Sequence, residues 1–153
     1  HKMAGGFTIK NENISSLRNF LIKNFEILRK NNLNTINLYI DSIISPSAIN
    51  ENFFNEINSL APFGSGNSEP KFVLENLRVV ASRVVGENHI KSVLYGLDGS
   101  SIKTIAFNAK NTLLEPYLTK ENKKKINIVG KIKLNEWRGK RDLEFIVEDL
   151  AVN

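Results

Sequence analysis

The strongest constraint in this chain is a change of period at residues 61–67, Ala61-Pro62-Phe63-Gly64-Ser65-Gly66-Asn67. Upstream, apolar residues recur every three or four positions. Leu17, Phe20, Leu21, Phe25 and Leu28 form one face of an amphipathic helix over residues 14–31, with Ser15 or Asn13 available to cap it. Residues 4–9 read as a glycine turn entering a short strand, and Thr35 to Ile40 alternates like a strand. Ser45-Pro46-Ser47 then breaks the chain. A second helix, Ile49 to Leu60, carries Ile49, Phe53, Ile57 and Leu60 on one face. Proline and glycine make the 61–67 stretch a stiff, turn-rich connector.

Downstream the period becomes that of strands. Phe72 to Val85 predicts a strand too long for a flat sheet, a feature of closed barrels. Gly86-Glu87-Asn88 turns into a second strand, His89 to Leu97, and Asp98-Gly99 forms a hairpin turn into a third, Ile102 to Phe107. Asn111 to Leu118 is short and helical. Ile126 to Leu134 and Leu143 to Leu150 are the last two strands, with Trp137 to Lys140 as the turn between them. Three strands, a short helix and two strands is the order of the OB-type barrel, whose strands 2 and 3 and loops 1-2 and 4-5 bind oligonucleotides. The expected class is α+β: a strand-helix-strand segment and a linker helix, then a five-stranded OB-type β-barrel.

Charge divides at nearly the same place. Residues 1–69 carry 6 Lys+Arg and 6 Asp+Glu, a net of zero, while residues 70–153 carry 15 and 10, a net of +5. A one-sided excess suggests an anionic partner for that half. There are no cysteines, which excludes disulfides, thiolate catalysis and cysteine-bound zinc. No apolar run approaches membrane length. The 2 histidines, His1 and His89, and the aspartates Asp41, Asp98, Asp142 and Asp149 are scattered, whereas a two-metal hydrolase needs its ligands clustered. No catalytic or metal-ligating set is therefore expected. The chain opens on His1 rather than Met, which reads as a fragment or as a scar at its start.

Three stretches carry a family resemblance. His1-Lys2-Met3-Ala4-Gly5-Gly6-Phe7 resembles the tail of the Gly-Gly-His-x-x-Ala-x-Gly-Phe motif of DHH-associated domains. Residues 60–72 resemble the Pro-Phe-Gly-x-Gly-Asn-x-x-Pro-x-Phe signature of the RecJ single-strand-specific exonucleases. His89-Ile90-Lys91, Ala106-Phe107 and Asn135-Glu136-Trp137-Arg138-Gly139 then follow that family's OB domain in order. The resemblance implies a parent enzyme that degrades single-stranded DNA from the 5′ end in recombination and repair. The parent would be cytoplasmic, with manganese or magnesium in a catalytic domain that this chain lacks.

The same resemblance divides the chain. Residues 1–45 would be the C-terminal piece of the DHH-associated domain, 46–69 a connecting helix and Pro-Phe-Gly loop, and 70–153 the nucleic-acid-binding OB domain. The implied partner is single-stranded DNA, with other repair proteins beside it; the chain is expected to be a monomer away from membranes. A DHH-family phosphodiesterase acting on small nucleotides, or an OB domain used for protein contacts, are the rival readings.

The candidate contacts follow from residue type and position. Trp137 can stack on a base while Arg138, Lys140 and Arg141 meet phosphates at the fourth-to-fifth-strand connection. On the second strand, period 2 puts His89, Lys91, Val93 and Tyr95 on one face and Ile90, Ser92, Leu94 and Gly96 on the other. Lys103 joins the first face from the third strand, and Phe107 is expected in the core. By the resemblance, His1 and Gly6 approach the substrate backbone. Phe63, Gly64, Gly66 and Asn67 are expected to fix the angle between two domains, with contact to DNA as the alternative, and Lys123-Lys124-Lys125 to be a solvated loop.

Overall fold

In the computed structural model, residues 5–31, 37–137 and 139–152 are described, without the side chains of residues 28–31, 137 and 140. The long run that opens the second half is one strand, which we number β2 (Phe72–Val85) after a short β1 (Ser42–Ile43). Phe72, Leu74, Leu77 and Val79 of β2 are buried. The first half of β2 pairs with β5 (Ile126–Trp137), from Phe72↔Gly130 to Leu77↔Ile126. Its second half pairs with β3 (His89–Tyr95), from Arg78↔Tyr95 to Val85↔His89. Register shifts at Leu74/Leu77 and Val79/Ala81 bend the strand between its two partners. At the first shift Asn76 takes a φ of 56°, and its N–H donates to Asn127 Oδ1 at 2.8 Å.

The remaining strands close the ring. β3 pairs antiparallel with β4 (Ser101–Ala106). β4 runs parallel to β6 (Lys140–Val152) at Thr104↔Phe145 and Ile105↔Ile146, and β6 returns antiparallel along β5. The ladder β2-β3-β4-β6-β5 therefore comes back to β2 as a five-stranded barrel. Its core holds Leu74, Leu77, Leu94, Ile126, Ile128 and Phe145, all nearly inaccessible. A short helix, labelled α3 after the two helices described below (α3, Glu115–Leu118), drops Leu118 into this core. Two buried hydroxyls tie it in: Ser92 Oγ donates to Leu118 O at 2.7 Å, and Thr104 Oγ1 donates to Ser92 O at 3.2 Å. Both polar groups thus satisfy in the core the bonds they lose from water.

Outside the barrel, α2 (Glu51–Asn58) starts where Asn50 Oδ1 accepts from Phe53 N at 3.0 Å. Ile49, Phe53 and Ile57 pack on the core cluster, with the Phe53 ring 5.5 Å from that of Phe72. Asp98, in the β3–β4 turn, accepts from Ser100 Oγ and from Ser47 N, and these bonds hold its carboxyl well below the usual carboxylate range. The connector is closed on itself. Asn67 Nδ2 donates to Leu60 O and Pro62 O at 2.9 Å each, and Gly64 and Asn67 bridge through their backbones.

Residues 1–38 cluster as a unit separate from 39–153. Within it a 3-10 turn (Asn11–Asn13) leads into α1 (Ile14–Asn31), matching the expected helix. Its apolar face is open: Phe20, Leu21 and Phe25 are all exposed.

Several elements differ from the sequence reading. No strand forms at residues 5–9 or 37–40; the extended chain first pairs at β1, parallel to β2, where Asp41 N donates to Lys71 O and Ile44 N to Val73 O. Thr35 and Ile36 lie outside the described residues. Leu60 is 58% exposed because α2 ends two residues before it. Phe107 is 53% exposed rather than core, since β4 ends at Ala106 and the chain turns outward through Asn108 at φ 53°. Trp137 and Lys140 are strand residues paired with each other rather than turn residues, and Gly139 takes a φ of 74°.

Gly130 sits at the β5–β6 register shift. A Cβ there would overlap the carbonyl oxygen of Ile146 and come within 3.0 Å of the Phe145 ring. Gly130→Ala should therefore destabilise the barrel by on the order of 3 kcal/mol through overpacking. Gly64→Ala, in open space, should be close to neutral. Urea unfolding of the two variants checks the difference.

Candidate nucleic-acid interface

The outer face of the barrel is concave across β2, β3, β4 and β6. A groove of about 610 Å³ runs there, lined by Arg83, Lys91, Lys103, Asn135, Asp142 and Glu144 among others. The strand period places these side chains outward, while Ile90, Ser92 and Leu94 point into the core.

The groove's lysines are engaged. Lys91 Nζ lies 2.7 Å from Glu144 Oε1, with side-chain exposures of 28% and 13%. Lys103 Nζ lies 2.8 Å from Asp142 Oδ2, in a more exposed pair. Both pairs join β3 or β4 to β6, so they cross the parallel seam where only two register positions hold β4 to β6. A carboxylate so close lowers the field that each lysine presents to an incoming phosphate. Arg83 lines the same groove, and among the described residues it has no carboxylate partner.

Aromatic rings mark the two ends of β3. His89 Nδ1 accepts from Asn108 N at 3.0 Å, and its ring meets Phe107 edge-on at 5.2 Å. At the other end the Arg78 guanidinium lies 5.9 Å from the centre of the Tyr95 ring, which is 40% exposed. Exposed rings flanking a cationic centre are what a single strand needs, because an unpaired base offers its face.

The structure brings together His89, Lys91 and Lys103 on this face, with Tyr95 at its end. Arg141 is bound to Glu136 at 2.8 Å within the β5–β6 hairpin and does not line the groove. Gly6 is exposed in the separate N-terminal unit. His1 and Arg138 lie outside the described residues, as do the side chains of Trp137 and Lys140, whose backbones belong to β5 and β6. Sequence reading missed Arg83, Asn135, Asp142 and Glu144. The alternation of Asp142 and Glu144 along β6 is a usable signal for one face, but their partners are 39 and 53 residues away.

Among the described residues, no group of three or more His, Asp or Glu side chains could hold a metal ion, and no helix is long and apolar enough to cross a membrane.

Residues 40–149 match the RecJ OB domain family. The chain is 28% identical over 159 residues to the single-stranded-DNA-specific exonuclease RecJ of Bacillus subtilis, covering 100% of this chain and 19% of that protein. It is 28% identical over 152 residues to the RecJ of Haemophilus influenzae, covering 97% and 25%. Thermus thermophilus RecJ in complex with Mn2+ superposes with a TM-score of 0.64 at 20% identity, over 95% of this chain and 20% of that one. That likeness shows the shared fold. The chain thus spans a quarter or less of these curated relatives.

The half-buried pair generates a stability prediction. Lys91→Ala strands the Glu144 carboxylate and should cost about 1–3 kcal/mol. Lys103→Ala, at an exposed pair, should cost less than about 1 kcal/mol. Chemical denaturation of both variants measures this, and equal costs would show that burial does not set the strength of these pairs.

Proposed function

The chain belongs to the RecJ OB domain family, and we propose that it is the single-strand-gripping part of a longer 5′ to 3′ single-strand-specific DNA exonuclease of recombination and repair. The observation that carries this reading is the concave face: a groove with cationic side chains between exposed rings at both ends of β3. Bases stack on such rings regardless of sequence, and cations follow the backbone. The β5–β6 hairpin adds Trp137 as a stacking platform, with Arg138, Lys140 and Arg141 as phosphate contacts; His89, Lys91, Tyr95 and Lys103 serve on the face itself.

Residues 1–45 are the end of a DHH-associated domain in this reading, with His1 and Gly6 near the strand, 46–69 the connection, and 70–153 the grip. The open apolar face of α1 supports this, because such a face is normally covered by the remainder of its domain. Hydrolysis and its divalent metal belong to the parent's catalytic domain. The metal-bound RecJ structures of Thermus thermophilus are consistent with that assignment. This chain acts as a cytoplasmic monomer that hands the strand on, and by itself should not cleave DNA.

The test is binding of this chain to a short single strand and to a duplex across a salt series. Affinity for the single strand should fall with log salt at about −0.7 per phosphate contacted, and the duplex should bind more weakly. Trp137→Ala should weaken single-strand binding by about 1–3 kcal/mol, roughly five- to a hundredfold, if the indole stacks. Melting of the same sample separates stacking from a structural role: a lower Tm with binding retained would make Trp137 a plug of the barrel end. Equal affinity for both forms of DNA, indifferent to salt, would favour a protein-contact module instead.

A further inference from the structure

Part of the positive charge of the barrel half is already committed to carboxylates. Among the described residues of the barrel half, Lys71, Lys91, Lys103, Lys131 and Arg141 are each bound to a carboxylate. The connection between α3 and β5 is different. Lys120, Lys123, Lys124 and Lys125 are all exposed there, and among the described residues no carboxylate lies within ion-pair distance of any of them. Residues 119–125 contain one acid, Glu121.

This connection is built rather than loose. Asn122 Nδ2 donates to Tyr117 O and Lys124 O at 3.1 Å each, Asn122 Oδ1 accepts from Lys124 N at 3.0 Å, and Asn122 N donates to Thr119 O. One side chain therefore holds the turn that presents the three consecutive lysines. The connection is also placed. Lys120 N donates to Ser82 Oγ at 2.8 Å, and Ile126, just after Lys125, pairs with Leu77. It thus runs beside β2 from Ser82 back to Leu77, a path of about 16 Å at roughly 3.3 Å per strand residue. Ser82 and Arg83 line the groove at one end of this path, and Arg78 follows Leu77 at the other.

Resting on the single-strand reading above, we infer that the 119–125 connection, with Arg83 and Arg78 of β2, is the track for the phosphates of the strand, while the groove takes its bases. A phosphate at Lys91 or Lys103 must displace a carboxylate that braces the β4–β6 seam. A phosphate at Lys123, Lys124 or Lys125 displaces only counterions, whose release favours binding. The run read from sequence as a plain solvated loop thus sets four lysines against one acid, with no ion pair among the described residues.

The experiment compares Lys123→Ala/Lys124→Ala/Lys125→Ala with a control of equal charge loss on the other unit, Lys10→Ala/Arg18→Ala/Lys23→Ala, each in the full chain. Binding to a short thymidine homopolymer is followed by fluorescence anisotropy over a salt series. The first variant should lose roughly tenfold or more in affinity at low salt, with a log–log slope shallower by about 2, at unchanged Tm. Arginine at the same three positions should restore both. The control should bind nearly as the parent does. If the parent binds in a salt-dependent way and the first variant binds equally well, the track is refuted and the single-strand reading stands. If both variants lose equally, net charge rather than a track is responsible and the inference fails. A parent with no salt-dependent binding overturns the single-strand reading itself.

Discussion

Every strand of a closed barrel has a neighbour on each side, but β2 meets its two along successive stretches of its length, so closure of this ring rests on the bend of that strand. Its 14 residues pair first with β5 and then with β3. A flat strand cannot face both, so the chain spends two register shifts and a left-handed Asn76 on the bend. Everything else follows from where this closure is strong and where it is weak. The β5–β6 ladder extends over nearly the whole of both strands, whereas the parallel β4–β6 seam has two register positions. Side chains must hold that seam. Thr104 and Phe145, paired and buried, hold it from the core, and the Lys91–Glu144 and Lys103–Asp142 pairs hold it from outside.

That bracing fixes the character of the groove above the seam. Its walls are polar and partly charged, but the lysines are balanced by acids on the facing strand. Such a surface has modest net field and many hydrogen-bonding groups, and rings stand at the two ends of β3. It suits the flat, varied edges of bases better than a regular row of phosphates. Half-burial strengthens the point for Lys91, because separating a partly desolvated pair is more costly than separating one in water.

Much of this fold was legible because period and punctuation agree. β2 was expected at the residues where it lies, and β3 to β6 were each within a few residues, since alternation and turn chemistry are local properties. The errors have physical causes. β1 has two residues and pairs in parallel with a strand thirty positions away, so it leaves no alternation to read. Phe107 looked like core because it ends an apolar run; the backbone turns out at Asn108 before its ring can enter. On the binding face, the outward set on β3 was readable from period 2. The partners of its lysines were not, because Glu144 is on a strand that meets β3 only through the closed ring.

The charge distribution shows the same limit most sharply. A net of +5 in the second half was visible in the sequence, yet a sum cannot say which cations face a partner and which face a carboxylate. Electrostatic attraction at the surface acts over about 8–10 Å at physiological salt, so only charges left uncompensated on that scale draw in a strand. Lysines on β3 and β4 fail this condition because closure puts acids beside them. Lysines in the 119–125 connection meet it because Asn122 uses the local backbone, not an acidic side chain, to fix the turn. The barrel thereby separates two duties that the sequence mixes: Lys91 and Lys103 hold strands together, whereas the lysines of the connection and Arg83 of β2 have no carboxylate partner among the described residues.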